Sequence, residues 1–326
     1  IYPTMDHVIW KLKKHEKDLG CKVISSSVKT TEICLSKTLT YNTLRSRVNL
    51  PDIYDSPDDI QEFPVFLKPD VGYGSRGVFK ANNKKDLIKF LKEKKNTDYV
   101  LSEYLPGAEY TVDCFTNRFG ELCFSGPRKR NRIKNGISVN TLPVLERGDV
   151  FNNIAYEINK SIEFRGAWFF QVKENLNGKL TLLEVASRLG GSSSLYRGMG
   201  ANFALLSIYD AFNVDVQLIL NQYNIELDRS LNNVYKLDIE YNVIYVDFDD
   251  CLIINNKINI NLISFLYECF NRNKRIILIT KHNSNIYKSL EKYRLIGLFD
   301  KVIHLGLSEN KSDYITENNS IFIDDS

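Results

Sequence analysis

Apolar positions along this chain follow two different rhythms, and the change falls near residue 240. In the first part, residues 83–95 ("NKKDLIKFLKEKK") place Leu87, Ile88, Phe90 and Leu91 on one face of a helix, and residues 7–19 read the same way. Strand-like runs follow at "FPVFLKP", "GVFKA", "YVLSEYL", "YTVDCFT", "ELCFSG", "WFFQVKE" and "LTLLEVA". Several of these alternate apolar and polar residues across short connections, which predicts antiparallel sheet with accompanying helices. "GANFALLSIYDAFNVDVQLIL" is the longest helical stretch, and the polar segment over residues 226–240 predicts a linker. From Tyr241 onward, "VIYVDF", "RIILIT", "KVIHLG" and "SIFID" alternate with helical segments such as "LISFLYECF". That alternation predicts a doubly wound parallel sheet. The expected fold class is therefore α+β followed by α/β.

Composition narrows the function without naming it. Apolar content of 43% and charged content of 25% are ordinary for a globular protein, and a net charge of +3 does not argue for nucleic acid. No apolar run approaches the roughly 20 residues of a membrane-spanning helix, so no membrane partner is expected. Six scattered cysteines without a CxxC pair read as free thiols in a reducing, cytoplasmic setting. Four histidines, none in a metal-binding spacing, make zinc an unlikely choice. The chain opens at Ile1 and stops at Ser326 directly after an apolar run, so both ends are expected to be cut from a longer polypeptide.

The strand "NVIYVDFDDCLI" ends in Asp247, Asp249 and Asp250, and "SIFIDDS" ends in Asp324 and Asp325. Burying an unpaired carboxylate costs several kcal/mol, and chemistry in an open parallel sheet collects beyond the carboxyl ends of its strands. Acids converging there repel unless a hard cation bridges them, which suits Mg²⁺, or Mn²⁺ as a second choice. "VDFDDCL", Thr280, Lys311 and "IDDS" resemble the four successive motifs of the haloacid dehalogenase superfamily. The resemblance implies Asp247 as the nucleophile that forms an aspartyl phosphate and Asp249 as general acid/base. It also implies phosphoryl contacts from Thr280 and Lys311, with Asp247, Asp249, Asp324 and Asp325 around the metal. Cys251 stands where threonine is usual. Only about thirty residues separate Asp249 from Thr280, close to the minimum for one crossover, so no cap domain is expected. The plain alternative is a degenerate domain that merely binds Mg²⁺.

Gly72-Tyr73-Gly74-Ser75-Arg76-Gly77 is a literal GxGxxG. A dinucleotide site would require a helix to open at the last glycine, whereas β-prone "VFKA" follows. A protein kinase would also carry its HRD and DFG motifs, and neither occurs. The neighbours carry a third reading. Lys68 lies on the strand entering the loop, Lys37 lies upstream, and "VLSEYLPGAEYTVDCF" adds Glu103 and Glu109. "FFQVKENLNGKLTLLEVASR" adds Gln171, Glu184 and Arg188. In this order the parts resemble an ATP-grasp fold of the carbamoyl phosphate synthetase and biotin carboxylase branch. The resemblance implies ATP and Mg²⁺, with Lys37, Lys68 and the glycine loop (Gly72, Gly74, Gly77) on the phosphates. The Tyr104 and Leu105 backbone would meet adenine, with Glu103 and Glu109 near adenine and ribose. Gln171 and Glu184 would reach the metal, and Arg188 the transferred phosphoryl group. "YPTMDHV" looks like the tail of that branch's preceding domain, so the expected division is 1–48 (tail and connecting helix), 49–225 (ATP-grasp), 226–240 (linker) and 241–326 (phosphatase-like).

One position departs from the branch's E-x-N-x-R pattern: "EVASR" puts Ala186 where asparagine would be a second metal ligand. The basic stretch "GPRKRNRIKNG" (Arg128, Lys129, Arg130, Arg132, Lys134) reads as a solvated loop or, more sharply, as a source of arginines for an acidic substrate. Tyr196 and Arg197 are weaker candidates of the same kind. The resulting expectation is an ATP-dependent carboxylate–amine ligase with a fused phosphatase acting on a phosphorylated small molecule. The rivals are a small-acid kinase that does not ligate and an ATP-binding sensor that does not turn over.

Overall fold

The computed structural model describes residues 1–72, 74–94, 97–134, 136–230 and 233–325, so Tyr73 of the glycine loop lies outside the described residues. The chain divides into two compact units, Ile1–Asp238 and Ile239–Ser326.

The larger unit opens with helices α1 (Asp6–Lys14), α2 (Val28–Leu35) and α3 (Lys37–Leu44). The serine before each of the last two accepts a backbone N–H in the first turn, Ser27 from Thr30 and Ser36 from Leu39. Strands β1 (Val65–Pro69) and β2 (Phe79–Ala81), helix α4 (Lys84–Glu93) and strand β3 (Tyr99–Glu103) follow. They form an antiparallel sheet of order β2-β1-β3. Leu87 of α4 is buried against Val65, Leu67 and Ala81, and Phe90 stacks on Phe79 at 4.4 Å.

The remaining elements are β4 (Glu109–Thr116), β5 (Leu122–Lys134), β6 (Ile137–Pro143), α5 (Gly148–Ser161), β7 (Gly166–Glu174) and β8 (Leu180–Ala186). After them come α6 (Ser194–Gly198), α7 (Phe203–Ala211), β9 (Ile225–Arg229) and β10 (Asn233–Leu237). A seven-stranded sheet runs in the order β10-β9-β6-β5-β4-β7-β8. Its strands alternate between two faces, with a β-bulge at Leu183 of β8. Val112, Trp168, Phe170, Val172 and Leu182 face a core shared with Phe151, Ala155 and Ile158 of α5 and with Leu44 of α3. Burial of each such side chain is worth roughly 1.5–3 kcal/mol. The intervening residues Glu109, Thr111, Gln171 and Lys173 are thereby turned to the opposite face, and the bulge brings Glu184 there too, with Thr111 beside Gln171 and Gln171 beside Glu184.

Four expectations need correction here. Residues 226–240 are not a linker: β9 pairs with β6, and β10 pairs with β9, within the large sheet. Residues 1–48 pack into this same unit, Leu44 in its main core, rather than standing apart as a tail. The long helix expected over 200–220 is only α7, because Asn213 turns left-handed (φ 63°) and the Val214 amide bonds back to Tyr209. The basic stretch is not a loop; its larger part belongs to the thirteen-residue strand β5.

The smaller unit contains β11 (Val243–Val246), a short hairpin of β12 (Ile253–Ile254) and β13 (Lys257–Ile258), α8 (Ile260–Asn271), β14 (Arg275–Thr280), α9 (Ile286–Lys292), β15 (Lys301–His304) and β16 (Ser320–Ile323). The parallel sheet has order β15-β14-β11-β16. The order reverses direction at β11, as in a doubly wound sheet, but both α-helices pack on one face. Leu262 and Leu266 of α8 and Ile286 and Leu290 of α9 share a core with Ile244, Val246, Ile276 and Leu278. The other face, with Val243, Tyr245, Ile277 and Ile279, is covered by Leu305 and Ile315 from the return connection, which carries a 3-10 turn rather than an α-helix. Right-handed crossovers made in one direction put α8 and α9 on the same side. Among the described residues no helix is long and apolar enough to cross a membrane, and all six cysteines are free thiols.

Candidate functional site

In the larger unit one cleft gathers most of the residues singled out in the sequence. Lys37, Lys68, Gly72, Gly74, Glu103, Tyr104, Leu105 and Glu109 line it together with Gln171 and Glu184 of the seven-stranded sheet. The glycine loop is the hairpin between β1 and β2, not a strand-to-helix turn. Gly74 and Gly77 adopt φ of 61° and 74°, which side-chain-bearing residues rarely tolerate. Gly77 shapes the hairpin rather than lining the cleft, since a Cβ there would come within 3.1 Å of Pro69.

The charges in the cleft are unevenly matched. Lys37 donates to the carbonyls of Pro69 and Asp70, at 3.0 and 3.2 Å, and burial lowers its pKa against the pull of Glu184. Lys68 has no hydrogen bond or ion pair among the described residues. Burial pushes its ammonium down to about 8, with Glu184 opposing and Lys37 reinforcing the shift. Glu184 is likewise without a hydrogen-bond or salt-bridge partner among the described residues. By contrast, Glu109 is held by Arg130 and lies 3.9 Å from Lys173. Arg130 also donates to Gln171 at 2.9 Å and to the Gly136 carbonyl at 2.6 Å, while its Nε has no partner. Glu103 accepts the Asp52 amide at 3.2 Å, and burial raises its pKa. Lys80 lies 3.9 Å above the Tyr104 ring.

Several assignments come out differently. Arg188 does not line this cleft: its Nε donates to both oxygens of Asp6 at 2.9 Å, and its guanidinium lies over Phe169. Arg128 forms a buried pair with Asp113 at 2.7 Å rather than facing solvent, whereas Arg132 pairs with Asp228 at the surface. Tyr196 is a core residue whose hydroxyl donates to Pro127 O. Ala186 is buried opposite Phe169 and offers no ligand atom.

The smaller unit gathers its acids as the topology requires. Asp247 follows β11, Asp324 and Asp325 follow β16, and a carboxylate oxygen from each lies within 4.8 Å of the others. Lys311 reaches Asp247 at 3.0 Å and Asp324 at 3.1 Å. Burial raises the Asp247 pKa although Lys311 opposes it. Burial alone would lower Lys311, but its bonds to the two acids outweigh that and hold its pKa up. Asp247 Oδ1 and Thr280 Oγ1 are buried without partners. Burial pushes the Cys251 thiol up to about 11, so it stays protonated in the place of the expected threonine. The Asp249 side chain does not join this group; it is turned to His282.

Comparison with known proteins identifies the larger unit. A family model described as "ATP-grasp in the biosynthetic pathway with Ter operon" matches residues 95–232. The biotin carboxylase of Campylobacter jejuni, solved as a β,γ-ATP complex, superposes with a TM-score of 0.62 at 18% identity, over 70% of this chain and 58% of that one. Residues 1–238 have the ATP-grasp fold. A second ATP-grasp neighbour, the biotin carboxylase domain of the Hydrogenobacter thermophilus 2-oxoglutarate carboxylase with MgADP, ADP and bicarbonate, gives the same TM-score of 0.62 at 15% identity, over 70% and 58% of the two chains. In sequence, a D-alanine–D-alanine ligase of Fusobacterium nucleatum is 32% identical over 95 residues, 29% of this chain and 32% of that ligase. The chain thus spans about a third of the length of the curated relatives it matches.

One cleft residue, Lys173, lies outside the sequence expectations, and Arg130 is the member of the basic stretch that lines the cleft. Lys173, two residues from Gln171 on β7, shares its face and lines the cleft, and the alternation of "FFQVKE" is the signal that points to it. Arg130 was one of five basic candidates; only the strand register separates it, facing inward, from Lys129.

Proposed function

We propose that the ATP-grasp unit binds ATP with Mg²⁺, activates a small carboxylate as an acyl phosphate, and lets an amine capture it as an amide. The observation that carries this is the meeting of Lys68 and Glu184, from two different sheets, in one cleft where neither has a hydrogen-bond or ion-pair partner among the described residues, Lys68 lying only over the Phe66 ring at 5.8 Å. A half-buried ammonium and carboxylate left unmatched are costly, and a polyanion bearing a hard cation would match both at once. In this reading Lys37 and Lys68 neutralise the phosphates, the glycine hairpin covers them, and Glu184 with Gln171 would hold the metal. Bound Mg²⁺ would supply charge neutralisation for phosphoryl transfer. Ala186 gives no ligand, so water would have to take that place. Arg130, already oriented by Glu109 and Gln171, steers the acid toward the phosphoryl group, and Arg188 requires release from Asp6 to take part. A carboxylate oxygen displaces ADP from the γ-phosphorus, and the amine nitrogen then displaces phosphate from the acyl carbon.

The test is incubation with ATP, candidate acids and candidate amines. Ligation produces ADP only when acid and amine are both present. ADP with acid alone supports the small-acid kinase, and tight ATP binding with no ADP in any mixture supports the sensor.

A second prediction arises from Lys68. With its pKa near 8, the ammonium is charged below that pH and must take up a proton to grip phosphate above it. ATP affinity, measured by calorimetry, therefore falls about tenfold from pH 7 to pH 9, whereas Lys68→Arg, which stays charged, shows no such fall. An unchanged profile in the native protein removes Lys68 from the phosphate.

We further propose that residues 239–326 form a haloacid dehalogenase-like phosphatase. What favours it is the unpartnered Asp247 Oδ1 among Asp324, Asp325, Lys311 and Thr280. The carboxylate set would hold Mg²⁺, which would neutralise charge on the phosphoryl oxygens. Asp247 attacks phosphorus, Lys311 and Thr280 orient the phosphoryl group, and Asp249 handles the proton of the leaving oxygen.

A further inference from the structure

The acid of the phosphatase step has a partner that no motif assigns. His282 Nδ1 lies 3.0 and 2.9 Å from the two oxygens of Asp249. Its Nε2 lies 2.6 Å from Ser284 Oγ and 2.9 Å from Ser289 Oγ. The ring is further fixed by an edge contact with buried Phe248, centroids 4.9 Å apart, and the His282 carbonyl lies 2.7 Å from His304 Nε2. The His282 side chain is 16% exposed, whereas that of Asp249 is 52% exposed. A solvent-facing carboxylate is thus anchored from behind by a mostly buried imidazole, itself held at both ends. A carboxylate has no hydrogen to offer, so Nδ1 is the donor, and Nε2 is left to the serine hydroxyls.

We infer that His282 is a positioning residue for Asp249: its Nδ1, within reach of both carboxylate oxygens, fixes the rotation of the carboxyl group that serves the leaving group of a bound phosphate monoester. The inference rests on the phosphatase reading above. As an Asp247 oxygen bonds to phosphorus, the ester P–O bond breaks and the departing alkoxide takes the proton of the Asp249 carboxyl. Water then attacks the aspartyl phosphate at phosphorus, gives its proton to the Asp249 carboxylate, and releases inorganic phosphate and the Asp247 carboxylate. Both steps need the same Asp249 orientation. The arrangement differs from a serine nucleophile triad in use, because the carboxylate is the solvent-facing member and the serines lie on the far side of the ring.

The test is leaving-group dependence. An acid matters for a poor leaving group and little for a good one, and a positioned acid contributes on the order of 10²-fold or more. His282→Ala should lower kcat/KM for an alkyl phosphate on the order of 10²-fold, and for 2,4-dinitrophenyl phosphate by less than about threefold. His282→Asn, whose amide nitrogen can stand where Nδ1 was, should recover most of the alkyl activity, whereas His282→Gln should not. This rescue also covers the case in which the alanine variant fails to fold. Equal losses for both leaving groups, or equal behaviour of the Asn and Gln variants, with an active native protein, overturn the role of His282 and leave the phosphatase standing. A native protein no faster than Asp247→Asn on either ester overturns both.

Discussion

On the phosphatase reading, Asp247→Asn lowers phosphomonoester hydrolysis by about 10⁴-fold or more, because an amide cannot form the aspartyl phosphate and single loss of a covalent nucleophile forfeits nearly the whole advantage of the machinery around it. The substitution is close to isosteric. It also relieves a carboxylate whose pKa is already raised by burial, and Lys311 keeps Asp324 as a partner at 3.1 Å. Loss of activity should therefore come without loss of fold, which circular dichroism and thermal melting can check. The native protein, quenched during turnover, should carry a hydroxylamine-labile phosphate that the variant lacks. ATP binding, which belongs to the other unit, should be unchanged. Hydrolysis retained at anything near the native rate would falsify the nucleophile assignment.

Glu184→Gln lowers substrate-dependent ADP formation by about 10²–10³-fold, the usual cost of removing one preorganised electrostatic contact in a phosphoryl-transfer site. Two effects add. On the ligase reading the metal would lose the carboxylate proposed to hold it, and Ala186 offers no ligand atom in its place. Lys68 loses the carboxylate that opposes its downward shift, so less of it is charged near neutral pH and ATP affinity falls as well. Raising Mg²⁺ should recover part of the affinity but not the rate. Because Glu184 has no hydrogen bond or ion pair among the described residues, melting should move little, within about 2 °C. A rate within about threefold of native would remove Glu184 from the metal.

Much of the ATP-grasp cleft was legible because strands write their geometry at a period of two. With "FFQVKE" and "LTLLEVA" read as paired strands, Gln171 and Lys173 share a face, while Glu184 joins them through a β-bulge at Leu183 that a period of two does not encode. The glycine hairpin was legible from the β-prone residues after Gly77. What the sequence hid depends on long-range pairing. Asp6 and Arg188 stand 182 residues apart, so nothing local indicates that one holds the other. Residues 226–240 are polar because β9 and β10 lie toward the edge of their sheet, and a polar edge strand resembles a linker until its partner, β6, is known. The basic run concealed a strand because its charges dominated the reading; the inward turn of Arg128 and Arg130 answers to Asp113 and Glu109 on the neighbouring strand. In the smaller unit the four motifs at Asp247, Thr280, Lys311 and Asp324 were visible, but the His282 contact was not, since spacing cannot encode the side-chain rotation that turns Asp249 to it.

The turn at Gly136 has a consequence out of proportion to its size. A Cβ at that position would stand 2.8 Å from the Gly74 carbonyl carbon and would also strike Ser75, so the glycine hairpin can rest where it does only because position 136 projects nothing. On the ligase reading, any larger residue there props the hairpin ajar, and an acyl phosphate made beneath it meets water before it meets the amine. A bare backbone position, with no functional group to offer, would then decide between productive synthesis and futile consumption of nucleotide.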